Sequence, residues 1–536
     1  MGSKSFLKGA VILGVAGIIV KIMGAFFRIP LANIIGDEGM GYYQASYPIY
    51  VLLLTISTAG IPTAISKLVS EKYAVGDPYG AHRIFKVSFI LLLITGIVTS
   101  SIMFFGSRRI VEIIKSPPEA YYSMLAIAPA LFFVPIMAAF RGYFQGIQDM
   151  VPTAVSQIIE QFGRTVVGLV LALFLFRKGI DLAAAGASFG AAAGGVTGAI
   201  IIILIYYKRR HSIFQEIQSR PRFKKENSGK IIYRIMSIAI PITMGAAIIP
   251  VMNMIDLAIV MRRLQDIGYS AEVANELYGQ LTGMAAPLIN LPQIITVGLA
   301  VSLVPAISDA VQRKNNLLVK NTIQSGTRVA LLLGLPSAAG LVILSKPIML
   351  LLYPLQQTSA VNAADILSIL GFGVIFLTLL QTFTGILQGL GRPSIPVVNL
   401  FIGAVFKVIL TYFFTGIYSI NIKGAAIGTV MAYGIAALLN FLAIKRLTKV
   451  DFSTMDVLIK PVIAVIAMSI SVLFIYGRLT GILGNKITTL VAVSMGIMIY
   501  GLMLLATGGI TKADFQMIPG GNRIIKILNS LGLLRR

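Results

Sequence analysis

The chain has 536 residues, 57% of them hydrophobic and only 12% charged, with a mean hydropathy of +0.87 and a net charge of +25. A soluble chain is nearer a quarter charged, so too few polar residues exist to coat several soluble domains; disorder and coiled coil are excluded too, and the lack of cysteine excludes a disulfide scaffold. An all-α polytopic membrane protein remains, because the apolar runs reach about 20 residues or more.

Fourteen spans are predicted, over 6–35, 42–68, 84–106, 121–146, 153–177, 182–207, 231–262, 274–309, 322–352, 361–390, 394–416, 421–445, 457–477 and 487–510. The first follows a short N-terminus without a small-residue cleavage site and is read as a retained helix. It carries Lys21 and Arg28, seven residues and so two turns apart, on one face and roughly 10 Å from each other. A charge inside a span costs at least ~2.5–3.5 kcal/mol at mid-helix, which makes each a site candidate. Arg offers a fork matching phosphate oxygens and Lys a point charge, so the pair suits a diphosphate. The alternative places Lys21 snorkelling and Arg28 at the far interface.

Gly60 and Pro62 predict a bend in the second span. Arg141 and Gln145 lie near the end of the fourth, where Arg141 can meet a diphosphate at the cavity mouth. Glu160 and Arg164 in the fifth stand i,i+4, which predicts a side-by-side, self-neutralised pair. In the seventh, Asn253 and Asp256 follow Pro241 and Pro250, whose rings free carbonyl oxygens; together with Glu160 they are candidates for Na⁺ or H⁺ coupling. Arg262 or Arg263 is the competing partner for Asp256. Pro287, Pro292 and Pro305 interrupt the eighth span, and Lys407 lies in the eleventh. Segment 522–536 reads as a basic amphipathic helix on the membrane surface, suited to anionic lipids.

Charge sets the orientation. With the N-terminus inside, the inner segments hold roughly 29 Lys and Arg and the outer loops about 10. The connector after the sixth span contributes most, with Lys208, Arg209, Arg210, Arg220, Arg222, Lys224 and Lys225; Asp37 and Glu38 stand on the opposite side. Both termini are therefore expected in the cytoplasm of a multi-pass cell-membrane protein. The same arrangement accounts for the basic excess without nucleic acid. Two histidines and no GxxxxGK loop leave no basis for a metal cofactor or for ATP use, and no carboxylate cluster suggests an enzyme.

An internal repeat organises the chain. Gly142-Tyr-Phe-Gln145-Gly146 matches Gly385-Ile-Leu-Gln388-Gly389, Arg164 falls on Lys407, and Pro62 with Ala64-Ile-Ser66 matches Pro305 with Ala306-Ile-Ser308. Gly186, Gly190, Gly194 and Gly198 are answered by Gly424, Gly428, Ala432 and Ala436. The expected division is an N-lobe over 1–210, a basic linker over 211–230, a C-lobe over 231–447, two further spans over 448–511 and a basic tail over 512–536. Two six-span copies in one orientation imply a pseudo-two-fold axis along the membrane normal, an arrangement of alternating-access transporters. The small residues serve close helix packing.

Lys21-Ile-Met-Gly24, Phe140-Arg-Gly-Tyr-Phe-Gln-Gly146, Pro152-Thr-Ala-Val-Ser-Gln157 and Ile249-Pro-Val-Met-Asn-Met-Ile-Asp256 resemble the polysaccharide biosynthesis branch of the multidrug/oligosaccharidyl-lipid/polysaccharide exporter superfamily. Within it the likeness is to the stage V sporulation B and Gram-positive MurJ-type lipid II flippase groups. The resemblance implies a MATE/MurJ-like fold. It also implies movement of a polyprenyl diphosphate-linked sugar, lipid II foremost, across the membrane by a monomer working near cell-wall synthases. Membrane potential or an ion gradient would drive it. Lys21, Arg28, Arg141, Arg164 and Lys407 would then line a basic cavity. Two acids of the Gram-negative pattern are missing, one where Ile29 and Pro30 follow Arg28 and one early in the second span where Gln44 stands, which separates the expected ion coupling from that pattern. The alternative is a Na⁺- or H⁺-coupled multidrug exporter of the MATE type.

Overall fold

The computed structural model describes residues 3–220, 226–453 and 455–510. The expected tail helix at 522–536 and the bases Arg222, Lys224 and Lys225 lie outside the described residues. Within them the chain is helical with no strand, as an apolar chain must be where no water can satisfy its backbone. Twelve helical stretches among the described residues are long and apolar enough to cross a membrane.

Two of those stretches are double length, Ile12–Ala74 with 63 residues and Met455–Thr507 with 53. Each is long enough for two crossings, and each breaks at a glycine in a conformation that L side chains avoid. These are Gly36 (φ 67°) and Gly484 (φ 69°). Both breaks reverse the chain. Around Gly36 the ring of Phe27 meets that of Tyr43 at 6.1 Å. Around Gly484 the space beside Gly496 is filled by Val472 and Met468, and Lys460 Nζ donates to the Gly508 carbonyl at 3.3 Å. Twelve stretches with two of them doubled agree with the fourteen predicted spans. The return from the first span starts earlier than predicted, because Asp37 and Glu38 belong to helix: Tyr42 Oη donates to Glu38 at 3.0 Å, one turn on.

The chain divides after Gly279 into two compact units. The first contains α1 (Ser3–Thr58, the hairpin at Gly36), α2 (Ile61–Ala74), α3 (Pro78–Ile113), α4 (Ala120–Ile127), α5 (Ala130–Gly146), α6 (Val151–Leu175), α7 (Ile180–Ser219), α8 (Ser228–Asp266) and α9 (Ala271–Gly279). α8 packs on α1, α2 and α3. Its start is tied to the α2–α3 turn by ion pairs of Arg234 with Glu71 at 2.9 Å and of Lys72 with Glu226 at 3.4 Å. The second unit opens with a π-helical turn at Gln280–Ala285 and continues through α10 (Ala286–Gln312), α11 (Asn316–Ile343), α12 (Ser345–Leu352), α13 (Gln357–Gly389), α14 (Ser394–Thr415), α15 (Lys423–Thr448) and the hairpin α16 (Lys460–Thr507). α10 runs unbroken through Pro292 and Pro305. α16 packs on α11, where Tyr500 Oη donates to the Leu332 carbonyl at 2.9 Å.

The repeat is visible in how helices meet. A Cβ placed on Gly190 of α7 would lie 2.6 Å from the Arg164 carbonyl oxygen of α6, and one on Gly428 of α15 would lie 3.3 Å from that of Lys407 on α14. Gly186 faces Leu171 as Gly424 faces Phe414, and Gly194 faces Glu160 where Ala432 faces Gly403. The small-residue series thus lets backbones touch in the same register in both units. A second match is displaced. Gly142 and Gly146 of α5 seat the carbonyls of Pro62 and Ser66, whereas Gly385 and Gly389 of α13 seat those of Ala300 and Val304. The Pro305–Ser308 motif therefore stands one helical turn further along its helix than the sequence match with Pro62–Ser66 implies.

Candidate functional site: an arginine–tyrosine cluster in the first unit

The Gly36 reversal creates the site. The returning arm of α1 carries Tyr43, Tyr47 and Tyr50, spaced four and three residues apart and so on one helix face. Their rings form a run, with centroids 6.0 Å apart between Tyr43 and Tyr47 and 5.9 Å between Tyr47 and Tyr50. Tyr43 and Tyr50 are buried. Arg28, on the outgoing arm, lays its guanidinium over Tyr47 at 5.9 Å from the ring centroid. Such a contact contributes ~0.5–2 kcal/mol, more as water is excluded, which offsets part of the cost of holding a cation at this depth.

Arg164, on α6, lies within electrostatic range of the same wall. That helix lies along the outgoing arm of α1: a Cβ on Gly24 would come within 3.8 Å of Gln161 Nε2, and one on Gly168 within 3.0 Å of the Phe27 ring. Arg164 stands between these two contacts. Tyr43, Tyr47, Tyr50 and Glu160 all act on it electrostatically, and its Nε has no hydrogen-bond partner. Among the described residues no ion pair involves Arg28 or Arg164.

The expected Glu160–Arg164 pair is not formed. Glu160 accepts instead from Arg141, with Nη2 to Oε2 at 3.0 Å, and Arg141 Nε donates to Ser156 Oγ at 2.8 Å. The Ser156 hydroxyl in turn donates to the Thr153 carbonyl at 2.9 Å. Ser156 and Glu160 are one turn apart on α6, so they make a two-point socket for a single guanidinium arriving from α5. That geometry beats a same-helix pair because it satisfies two N–H donors at once. Arg141 and Glu160 are 15% and 17% exposed, so the pair removes one cation from the cluster's free charge and leaves Arg28 and Arg164.

The remaining predicted residues are dispersed. Lys21 is exposed on α1, two turns before Arg28. Lys407 is half-buried on α14 in the second unit, where it has interactions of its own. Asp256 is buried on α8, with Tyr278 of α9 within its electrostatic reach, while Asn253 is exposed. Arg263 pairs with Asp266 at 2.9 Å. No group of three acidic or histidine side chains fit to hold a metal occurs among the described residues. The tyrosines and Ser156 were not among the predicted residues. The signal for the tyrosines is present in the sequence as the Tyr43, Tyr47, Tyr50 spacing; Ser156 has none, because its role depends on where α5 crosses.

Residues 6–311 match the family described as polysaccharide biosynthesis protein. The chain belongs to that family. Residues 241–413 also match the family described as MatE, which places this family member in the multidrug/oligosaccharidyl-lipid/polysaccharide exporter superfamily, its polysaccharide branch. Stage V sporulation protein B of Bacillus subtilis (strain 168) is 27% identical over 98% of this chain and 100% of its own length. Lipid II flippase MurJ of the same organism is 28% identical over 83% of each chain. Among solved structures, Lipid II flippase MurJ in an inward closed conformation aligns with a TM-score of 0.68 at 18% identity, covering 92% of this chain and 98% of that one. Family and fold together make this an integral membrane protein of a transporter family.

Proposed function

We propose that the protein is a flippase that carries a polyprenyl diphosphate-linked sugar, lipid II foremost, across the cytoplasmic membrane by alternating access. The observation that carries this reading is the pair of guanidiniums, Arg28 and Arg164, held without carboxylate partners against one tyrosine wall inside apolar helices. A cation at mid-span is costly when nothing opposite it compensates. A diphosphate supplies that compensation, and two guanidinium forks match its oxygens by charge-assisted hydrogen bonds. Tyrosine hydroxyls beside them add donors for phosphate or sugar oxygens. A relative named for lipid II flipping supports the same class of substrate.

In this reading both termini lie in the cytoplasm, which the distribution of Lys and Arg supports. Lys21 serves as an entry charge two turns before Arg28, and Lys407 is the second unit's counterpart of Arg164. Asp256, buried on α8, is the candidate for coupling to Na⁺ or H⁺, and membrane potential or that gradient supplies the drive. The match of residues 241–413 to MatE favours a second reading, a cation-coupled multidrug exporter. Two unpaired arginines oppose it, because they repel an organic cation.

The test is complementation in cells depleted of their own flippases, with the lipid-linked intermediates of each leaflet measured. Wild-type protein is expected to restore outer-leaflet precursor, and the R28A/R164A double variant, present at wild-type level in the membrane, is expected to leave it trapped inside. Full rescue by that variant overturns the proposal.

A further inference from the structure

The outer side of α3 carries a furrow built on aromatic rings. Phe85 and Phe89 stand one turn apart with centroids 6.2 Å from each other, and Phe140 of α5 closes the triangle at 5.1 Å from Phe85 and 5.8 Å from Phe89. Ile90 and the stem of Lys86 complete a furrow of about 250 Å³. Phe85 and Phe140 are buried whereas Ile90 is 56% exposed, so the rings make the floor and the α3 surface the rim. Ile94, Ile97 and Val98 continue that exposed apolar surface along the helix, which sets the furrow on a side of the unit that meets lipid.

One end of this furrow carries charge of a single sign. Lys86 is exposed one turn before Ile90. Tyr206 of α7 packs on Phe85 and Phe140, with centroids at 5.6 and 5.3 Å. Arg210 follows it by one turn, its guanidinium 5.3 Å from the Phe214 ring centroid and 6.0 Å from that of Tyr207. Lys86 and Arg210 both act electrostatically on His82, whose buried ring meets those of Phe85, Tyr206 and Phe214. The two cations therefore flank the same end of the furrow. Among the described residues neither enters an ion pair.

An occupant must match both the floor and the charged end. The furrow is smaller than the ~300–1,000 Å³ of a compact small-molecule pocket, and apart from the Lys86 ammonium its lining offers nothing polar. An acyl chain meets those terms, since it has no polar group to satisfy. The Lys86 stem runs along apolar surface and carries its ammonium to headgroup level. Arg210 adds a planar fork that matches phosphate oxygens, and the rings beneath it fix its plane. A zwitterionic headgroup brings a cation of its own, which two bases repel; an anionic headgroup does not.

We infer that this furrow is a binding site for an anionic phospholipid, its acyl chain laid on Phe85, Phe89 and Phe140 and its phosphate held between Lys86 and Arg210. The site is independent of the transported substrate. The chain contains no tryptophan, so Ile90→Trp puts a sole indole at the rim, where bromine on a neighbouring acyl chain quenches its fluorescence. The full chain is placed in nanodiscs of phosphatidylcholine with a minor share of phosphatidylglycerol, one lipid or the other brominated. Brominated phosphatidylglycerol is expected to quench I90W well beyond its share of the lipid, while I470W, exposed on the first arm of α16, reports the bulk composition. In the I90W background, K86Q and R210Q are each expected to lower the relative affinity for phosphatidylglycerol roughly fivefold. K86E/R210E is expected to push quenching by phosphatidylglycerol below its share, a reversal that misfolding cannot imitate. Quenching in proportion to lipid composition, an equal enrichment at I470W, or a preference that survives K86E/R210E each overturns the inference.

Discussion

The two units share a scaffold and differ in what is mounted on it. Where α6 meets α7 and α14 meets α15, glycines face the same carbonyls in the same register. The polar groups on those helices do not correspond. Ser156 and Glu160 of the first unit hold Arg141; their counterparts in the second are Asn399 and Gly403, and Asn399 Nδ2 instead donates to Asn440 Oδ1 at 2.8 Å on α15. Thr384, standing where Arg141 would be, bonds its own helix at the Leu380 carbonyl, 2.7 Å away. The lesson is that backbone contacts preserve the architecture while side chains one atom layer away specialise each half: a charged network in one, a neutral amide pair in the other.

The second contrast is at Gly60. A Cβ there would collide with the Ala239 carbonyl of α8, and the helix breaks at this point; Gly298 of α10, at the corresponding contact register, has nothing within 4 Å of its Cβ position and stays helical. Close approach by α8 coincides here with Pro62, which has no N–H for the Thr58 carbonyl, whereas the second unit has Ala300 at the corresponding register. The largest expected effect tests this directly. Gly60→Ala should cost about 3 kcal/mol, the upper end of overpacking costs, since the obstacle is backbone and cannot rotate aside, and should appear as loss of folded protein in fluorescence-detected size exclusion on heating. A G60A variant as stable as wild type removes the contrast.

Next in size, Glu160→Gln leaves Arg141 without its charge partner in a largely buried position and is expected to destabilise by ~2–3 kcal/mol, read as a lower melting temperature. The companion change Thr384→Ala in the second unit should be near neutral. A smaller separation is expected in function. Arg164→Ala should reduce transport by roughly tenfold, the worth of one charge-assisted contact of ~1.5 kcal/mol, and Lys407→Ala by less, since an ammonium provides no fork. Equal losses would show that both units contribute alike. The smallest effect has the opposite sign: Gly298→Ala is expected to stabilise by ~0.5–1 kcal/mol, because an unobstructed helical glycine only adds freedom to the unfolded chain.

Much of this was legible in the sequence for reasons that can be named. Apolar length gave the helices, since a membrane allows few alternatives. The glycine series gave the α6–α7 and α14–α15 contacts, because close backbone approach demands small residues at a fixed period. The first reversal falls inside the predicted gap 36–41 but uses only its first residue, because Asp37 and Glu38 look like a loop while the actual break needs a single glycine. The Glu160 partner was misread for a different reason. An i,i+4 rule sees one helix, whereas Arg141 comes from another, and no local pattern records where α5 crosses α6. Ala64-Ile-Ser66 and Ala306-Ile-Ser308 look equivalent, yet the grooves that seat their helices differ by one turn, and composition carries no such depth information.

The Tyr500–Leu332 hydrogen bond reaches further than the packing of α16 on α11. Leu332 lies four residues before Pro336, whose ring nitrogen has no hydrogen to give; the Leu332 carbonyl is thus deprived of its intrahelical donor, and the Tyr500 hydroxyl, 168 residues later, takes that place. The proline of α11 is therefore synthesised well before the group that satisfies the carbonyl it leaves free, and a chain truncated ahead of α16 would retain a dangling acceptor within that helix.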